Sequence, residues 1–308
     1  MSKVVITGGS GLLATNWACC MREHHQIVLG LHNRKVTLRG VTSSVLNIES
    51  VGEINRWLDA LKPDMVVHTA GLTNVDECER NPAAAHAQNC ELSRNIAVAC
   101  QQHGVRLLHI STDHLFDGSH AFYKESDTPI PLNVYARSKL DAEIEVAKVY
   151  PAALIVRTNF FGWGPLYRPS FSDWVIDSLR GGKQITLFDD VYFTPVLIDT
   201  LADASYRLSE AGASGVFNVV SGQRLSKFEF GNMLATEFRL PQNLLLRGRL
   251  SDAKLSAARP HDMSLDNSKV NQFLNNMQID ALGEQVAQLK VQGGEGRAKE
   301  INNAIMEN

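Results

Sequence analysis

No stretch of the 308-residue sequence approaches the ~18 consecutive apolar residues that a membrane-spanning helix needs. The N-terminus lacks a charged region followed by a cleavage site, so no signal peptide is expected. An excess of charge is missing too, since 30 Lys and Arg stand against 33 Asp and Glu, a formal −3. Such a balance gives no electrostatic reason to expect nucleic acid or an anionic membrane as partner. Cysteines are few and odd in number: Cys19, Cys20, Cys78, Cys90 and Cys100, spread without metal-ligand spacing. That pattern argues against a disulfide framework and a metal site. It fits a reducing cytoplasm, with the thiols serving as small buried hydrophobes.

What is present is an ordinary globular balance, 44% hydrophobic and 20% charged. The length suits one large α/β domain and a smaller lobe. Residues 3–7 (KVVIT) are a short apolar run ending in Gly8-Gly9-Ser10-Gly11, and residues 12–22 read as a helix. Strand, glycine turn and helix in that order is the context of a dinucleotide fingerprint. In Gly8-x-x-Gly11-x-x-Ala14, Gly8 suits a tight turn, Gly11 a close pyrophosphate, and Ala14 tight helix–strand packing. The helix start, with Ser10, Leu12 and Leu13, offers free amides and partial positive charge to phosphates. The next strand, residues 26–31, ends in His32-Asn33-Arg34-Lys35. An NAD site commonly has an acid about 20 residues beyond the glycines to bind the ribose diol. None stands here, and Arg34 and Lys35 suit a 2′-phosphate, which points to NADPH.

Asn47-Ile48-Glu49 follows a further apolar run and precedes a helix over residues 50–61. Residues 65–70 (MVVHTA) are a buried strand leading into Gly71, with a loop continuing through Asn81-Pro82. Residues 83–103 read as one long helix containing Asn89, and residues 105–110 as a strand entering Ser111-Thr112-Asp113. Strands alternating with helices indicate βαβ units on a parallel sheet, whose ligands sit at the strands' carboxyl ends. Beyond a strand at 153–156 the alternation loosens, with helices at 171–179, 197–208 and 227–238 and strands at 184–188 and 216–220. The expected fold is α/β, a Rossmann-type doubly wound parallel sheet with a smaller C-terminal α/β substrate lobe. Residues 1–160 would form the first, residues 161–290 the second, and residues 291–308 a polar, fraying tail.

Residues 133–150 contain no Gly or Pro and carry a helical pattern, with Tyr135 and Lys139 four apart. Residues so spaced are neighbours on a helix. A phenol titrates near ~10, and a cation held beside it favours its ionised form. A chance Tyr-x-x-x-Lys on an amphipathic helix is the plain alternative. Thr112 could equally cap the following turn, Asp113 could make an Asx-turn, Asn89 could satisfy backbone groups, and Arg157 could be a structural charge.

The segments TGGSGLLA, HTAG, HISTDHLFDG and VYARSKLDAE, in that order, resemble the extended short-chain dehydrogenase/reductase family. STDHLFDG, PLNVYARSKLDAE, RTNFFG and RPHDMSLDNSKV narrow the resemblance to its dTDP-4-dehydrorhamnose reductase branch, over about residues 3–275. The resemblance implies that Thr112 hydrogen-bonds a substrate carbonyl, Tyr135 donates the proton, and Lys139 holds the nicotinamide ribose while favouring tyrosinate. It also implies Gly8, Gly11 and Ala14 at the pyrophosphate and Ala70 and Gly71 over the adenosine side. Asn47, with Ile48 beside it, stands where an Asp often meets the adenine amino group, and His114 where the branch usually has a tyrosine. The reaction implied is reduction of a nucleotide-linked 4-keto-6-deoxy sugar, with a homodimer as a further expectation. Two readings stay open beside it. One is a sugar-nucleotide epimerase or dehydratase that retains its cofactor. The other is a non-catalytic NADP-binding subunit resembling the beta subunit of methionine adenosyltransferase.

Overall fold

Seven parallel strands form the centre of the computed structural model, which describes residues 1–46, 50–275, 279 and 281–306. The first half contains β1 (Lys3–Thr7), α1 (Leu12–Met21), β2 (Gln26–Leu31), β3 (Lys35–Val36), β4 (Thr42–Val45), α2 (Val51–Leu61) and β5 (Met65–His68). Then α3 (Val75–Arg80), α4 (Pro82–Ala85), a π-helical turn (His86–Glu91) and α5 (Leu92–His103) lead to β6 (Arg106–Ile110), α6 (Val134–Val149) and β7 (Leu154–Arg157). After these come β8 (Phe160–Phe161), α7 (Phe171–Arg180), β9 (Ile185–Phe188), β10 (Tyr192–Phe193), β11 (Val196–Leu197), α8 (Ile198–Glu210) and β12 (Gly215–Asn218). The rest is β13 (Leu225–Ser226), α9 (Lys227–Glu237), β14 (Leu245–Gly248), α10 (Ser268–Phe273), α11 (Leu282–Gly294), α12 (Arg297–Ala304) and β15 (Ile305–Met306).

The sheet order is β12-β7-β6-β5-β1-β2-β4, and every neighbouring pair is parallel. The chain builds outward from β1 to β4, then crosses back and continues from β5 in the other direction. The loops after β1 and β5 therefore diverge, which opens the crevice that doubly wound sheets use for ligands. The strand period of two explains why these runs are apolar throughout. Val4, Ile6, Met65 and Val67 join one buried cluster, with Trp17 of α1 and Ile198 of α8. Val5 and Val66 join the other, with Trp57 of α2, Ile96 of α5 and Val146 of α6. A parallel strand covered on both faces needs hydrophobes at every position. The first cluster continues through Phe230 of α9 and Leu289 of α11 to Ala304, so the smaller lobe shares the core of the larger sheet. That lobe pairs β9 with β14 in parallel, with α9 packed against them.

Three sequence expectations are corrected. The presumed loop after Gly71 contains α3, with Asn74 Oδ1 accepting the Glu77 amide at 3.0 Å. Asp76 and Glu77 in its first turn and Arg80 in its last complement the helix dipole. The long helix over residues 83–103 is interrupted by the π-helical turn around Asn89. The tail does not fray among the described residues: α11 continues to Gly294, α12 follows, and β15 pairs antiparallel with β3. No helix among the described residues is long and apolar enough to cross a membrane.

Arg157 has the structural part expected of it, as half of a buried ion pair with Glu143 of α6. Its Nη2 donates to Glu143 Oε2 at 2.7 Å, its Nε to Oε1 at 3.0 Å, and Ser111 Oγ donates to the same carboxylate. Both side chains are 5% exposed. Removing one partner of a buried pair strands the other charge, so Glu143→Ala is expected to destabilise by about 3–5 kcal/mol. Asp203→Ala, which breaks the exposed pair to Arg207, should cost at most about 1 kcal/mol. Urea unfolding of both variants checks the contrast; equal losses would mean that Glu143 is not effectively desolvated.

Candidate active site

A cleft of about 430 Å³ lies at the carboxyl ends of β1, β5 and β6 and is closed on one side by the start of α6. Its floor is set by Gly8, in the left-handed region at φ +68°. A Cβ there would come within 2.9 Å of Ala70 Cα, so only glycine allows the first loop to lie against the loop after β5. Gly11 is the N-cap of α1 and provides no side-chain cap. The first-turn amides around Leu12 and Leu13 are left for an anionic ligand at the positive end of the helix. Ser10, Ala70 and Gly71 line the same space. Asn47 and Ile48 lie outside the described residues.

Asn89 has a constructive part here. Its Oδ1 accepts the Leu72 amide at 2.7 Å, while its Nδ2 donates to Leu72 O at 3.0 Å and Ser138 Oγ at 2.9 Å. One side chain thus ties the Gly71 loop to α6. A Cβ on Gly71 would sit 2.6 Å from that Oδ1.

Helix α6 starts at an effective cap, with Asn133 Oδ1 accepting the Ala136 amide at 2.8 Å. This fixes Tyr135 and Lys139 in the cleft wall with Thr112, and all three are buried. Thr112 makes the turn-cap contact that the sequence allowed for it. Its hydroxyl accepts the His114 amide at 3.3 Å, as a turn cap does, and it lines the cleft with Tyr135. Asp113 is held by side chains: its Oδ1 accepts Thr112 Oγ1 at 3.2 Å and its Oδ2 accepts Asn159 Nδ2 at 2.6 Å. His114 stands edge-on to the Tyr135 ring at 5.7 Å, and its Nδ1 has no partner among the described residues. Burial keeps this imidazole below the usual histidine range, hence neutral at pH 7.

The electrostatics depart from the sequence expectation in one respect. Burial pushes the Tyr135 phenol up to about 12, and Asp113 and Cys78 push the same way. Thr112 and Arg168 oppose it. The Lys139 ammonium instead donates to the Ile110 carbonyl at 2.7 Å, and burial pulls its pKa down to about 8 despite Glu143 nearby.

Arg34 lines the cleft, and its guanidinium lies 4.0 Å above the centre of the Tyr167 ring. Tyr167 in turn donates its hydroxyl to Ser10 O at 2.6 Å, which ties the cation's platform to the glycine loop. Neither Tyr167 nor Arg168, whose guanidinium bonds Thr73 Oγ1, was found by sequence reasoning. Both sit in a Gly- and Pro-containing loop with no periodic signal. The lining carries Arg34, Lys139 and Arg168 against the single carboxylate of Asp113 among the described residues. That excess suits a ligand bearing several phosphates.

A family model described as RmlD substrate binding domain matches residues 2–289. A probable low-salt glycan biosynthesis reductase of Haloferax volcanii is 32% identical over 270 residues, covering 86% of this chain and 90% of that protein. The methionine adenosyltransferase 2 subunit beta of Pongo abelii is 27% identical over 286 residues, covering 87% and 81%. Among solved structures, a dTDP-4-dehydrorhamnose reductase from Bacillus anthracis in complex with NADP superimposes with a TM-score of 0.84 at 24% identity, covering 94% and 99%. This likeness shows the fold.

The Lys139 burial carries a stability consequence. An unfolded lysine titrates at 10.5 and the folded one at about 8, so between those values the unfolded chain holds the extra proton. Stability from this group therefore rises with pH through that window, and the burial penalty is fully present below pH 8. Lys139→Met is expected to be about 2 kcal/mol more stable than the parent at pH 7, after allowing for the lost bond to Ile110. The gap should close toward pH 10. Urea titrations at both pH values measure it, and a variant less stable than its parent at pH 7 would refute the reading.

Proposed function

The chain belongs to the RmlD substrate binding domain family, and on that premise we propose that it is an NADPH-dependent reductase of a nucleotide-linked 4-keto-6-deoxy sugar. One observation carries the reading: Thr112, Tyr135 and Lys139 share a cleft with an uncapped glycine-loop helix and Arg34. Names of relatives add support, since two of the proteins compared are reductases and one of these acts on a dTDP-sugar.

The cleft fits a phosphorylated dinucleotide. The Gly8–Ala70 approach and the uncapped amides at Leu12 and Leu13 form a cradle for a pyrophosphate, with Ser10, Gly11, Ala70 and Gly71 around it. Arg34 is the group for a ribose 2′-phosphate, while Tyr135 and Lys139 face the nicotinamide end. Bound there, the nicotinamide supplies hydride to the ketone carbon. The Thr112 hydroxyl, turned away from Asp113 Oδ1, donates a hydrogen bond to the ketone oxygen and orients it. Tyr135, still protonated because burial holds its pKa near 12, delivers its proton to the oxygen as it becomes an alkoxide. Lys139, anchored on Ile110 O, positions the ribose hydroxyls and provides local positive charge as the phenol loses its proton.

The similarity to a methionine adenosyltransferase subunit favours a second reading, a binding subunit without turnover. Incubation with NADPH and a dTDP-4-keto-6-deoxy sugar separates the readings. Loss of absorbance at 340 nm marks the reductase, product without net oxidation an epimerase, and no turnover the subunit.

Two variants test the assigned parts. Tyr135→Phe should lower kcat by about 10² to 10⁴, the range for general acid catalysis, with NADPH affinity nearly intact. A variant retaining most of its turnover would remove Tyr135 as the acid. Arg34→Ala should weaken NADPH by about 1.5–3 kcal/mol, the range for bonds to charged groups, and leave NADH almost unchanged. Paired cofactor titrations measure this, and equal weakening of both would refute the phosphate assignment.

A further inference from the structure

The Arg34 loop is held by a part of the chain that lies past residue 289, where the family match ends. Strand β3 begins at the residue after Arg34 and takes no part in the central sheet. Among the described residues its strand partner is β15, with Val36 opposite Ile305. The Thr37 amide continues the pairing by donating to Ala304 O at 2.8 Å.

A second tie lies alongside. Arg22, at the end of α1, donates through Nη2 to Glu300 Oε2 at 2.9 Å and through Nη1 to Arg39 O at 3.0 Å. One guanidinium thus joins α12 to the turn that follows β3. Helix α12 is itself fixed to the body. Arg297 Nη1 donates to both oxygens of Asp199 at 2.6 and 2.7 Å, and Ile301 is fully buried.

Val36 and Leu38 are also buried, so the loop would remain packed without β15. What β15 adds is a fixed backbone line immediately beyond Arg34, whose guanidinium lies over the Tyr167 ring. Two-point recognition of a phosphate by a guanidinium depends on such orientation. We propose that the C-terminal unit of α12 and β15 is a positioning element that holds Arg34 to meet a ribose 2′-phosphate, and so sets the preference for NADPH over NADH. The proposal rests on the reading of Arg34 as the phosphate-binding residue.

Ile305→Pro in the full-length chain tests it. Proline at 305 disfavours the helical conformation of Ala304, the residue whose carbonyl accepts the Thr37 amide. Fluorescence titrations with NADPH and NADH are compared for the parent, Ile305→Pro, Arg34→Ala and the double variant. Ile305→Pro should raise the Kd for NADPH about fivefold, within the range of second-site effects on binding, while NADH changes little. In the Arg34→Ala background the same substitution should add nothing. Equal weakening of both cofactors, an unchanged NADPH Kd, or a full effect in the absence of Arg34 would overturn the proposal. If Ile305→Pro does not fold, Glu300→Gln decides: it should lower the NADPH preference in the same direction, and an unaltered preference counts against the positioning role. A parent that binds both cofactors equally would instead refute the phosphate reading of Arg34.

Discussion

Thr7, the last residue of β1, holds together the two loops between which the cleft forms. Its hydroxyl hydrogen-bonds His68 Nδ1 at 2.7 Å and accepts the Thr69 and Ala70 amides at 3.2 and 3.3 Å. Its carbonyl accepts the Thr69 hydroxyl at 2.7 Å. These bonds bring Ala70 against Gly8, the closeness that excludes a side chain there. Divergence of the loops at the topological switch creates the crevice, and this cluster fixes its width. Thr7 and Ser93 occupy the two ring nitrogens of His68, and burial keeps that imidazole neutral, its pKa taken down to about 3.

The opposite wall is held by a separate set of buried polar contacts. Glu143 of α6 takes Arg157 from β7 and Ser111 from the loop after β6. Asn89 and Ser138 join the other side of α6 to the Gly71 loop. Tyr135 and Lys139 therefore ride on a helix fastened at its cap, along its length and across to the cofactor-side loop. These fastenings lie in a dry place, where an unpaired polar group would cost about 1–3 kcal/mol. Slippage of α6 by one turn would strand several of them together.

Much of this was legible in the sequence because the signals were periodic or required an unusual backbone. Residues 3–7 followed by Gly8 and a helix start announced the crevice, and Tyr135 with Lys139 announced the wall opposite. Arg34 stood out because no acid accompanied it. The missed parts carry no such marks. Helix α3 has six residues, too few for a hydrophobic stripe, although Asn74 followed by two acids was a cap signal. Tyr167 and Arg168 owe their importance to a loop that returns over the glycine turn, a relation of tertiary distance. The C-terminal residues looked disposable by composition, yet Ile301 and Ala304 are buried in the main core and β15 completes a ladder. Polar sequence at helical spacing does not reveal which few apolar residues will be covered.

The Tyr135–Lys139 spacing puts both side chains in the lining of one cleft, but it does not say how burial acts on them there. Four-residue spacing brings two side chains to one helix face, but the surrounding solvent determines what each does there. Burial moves both toward their uncharged forms, the phenol up to about 12 and the ammonium down to about 8. A tyrosinate–ammonium pair is therefore not what the desolvated cleft favours. For the proposed reduction this direction is the useful one, because the donor must still hold its proton when the ketone arrives. The charge that would stabilise the phenolate afterwards is already close by, in Arg168 and in a lysine whose ammonium is fixed by a carbonyl. The reverse oxidation would have to begin from a phenolate that burial opposes. The same desolvation that qualifies the simple reading of the motif thus keeps the phenol in its proton-donor form.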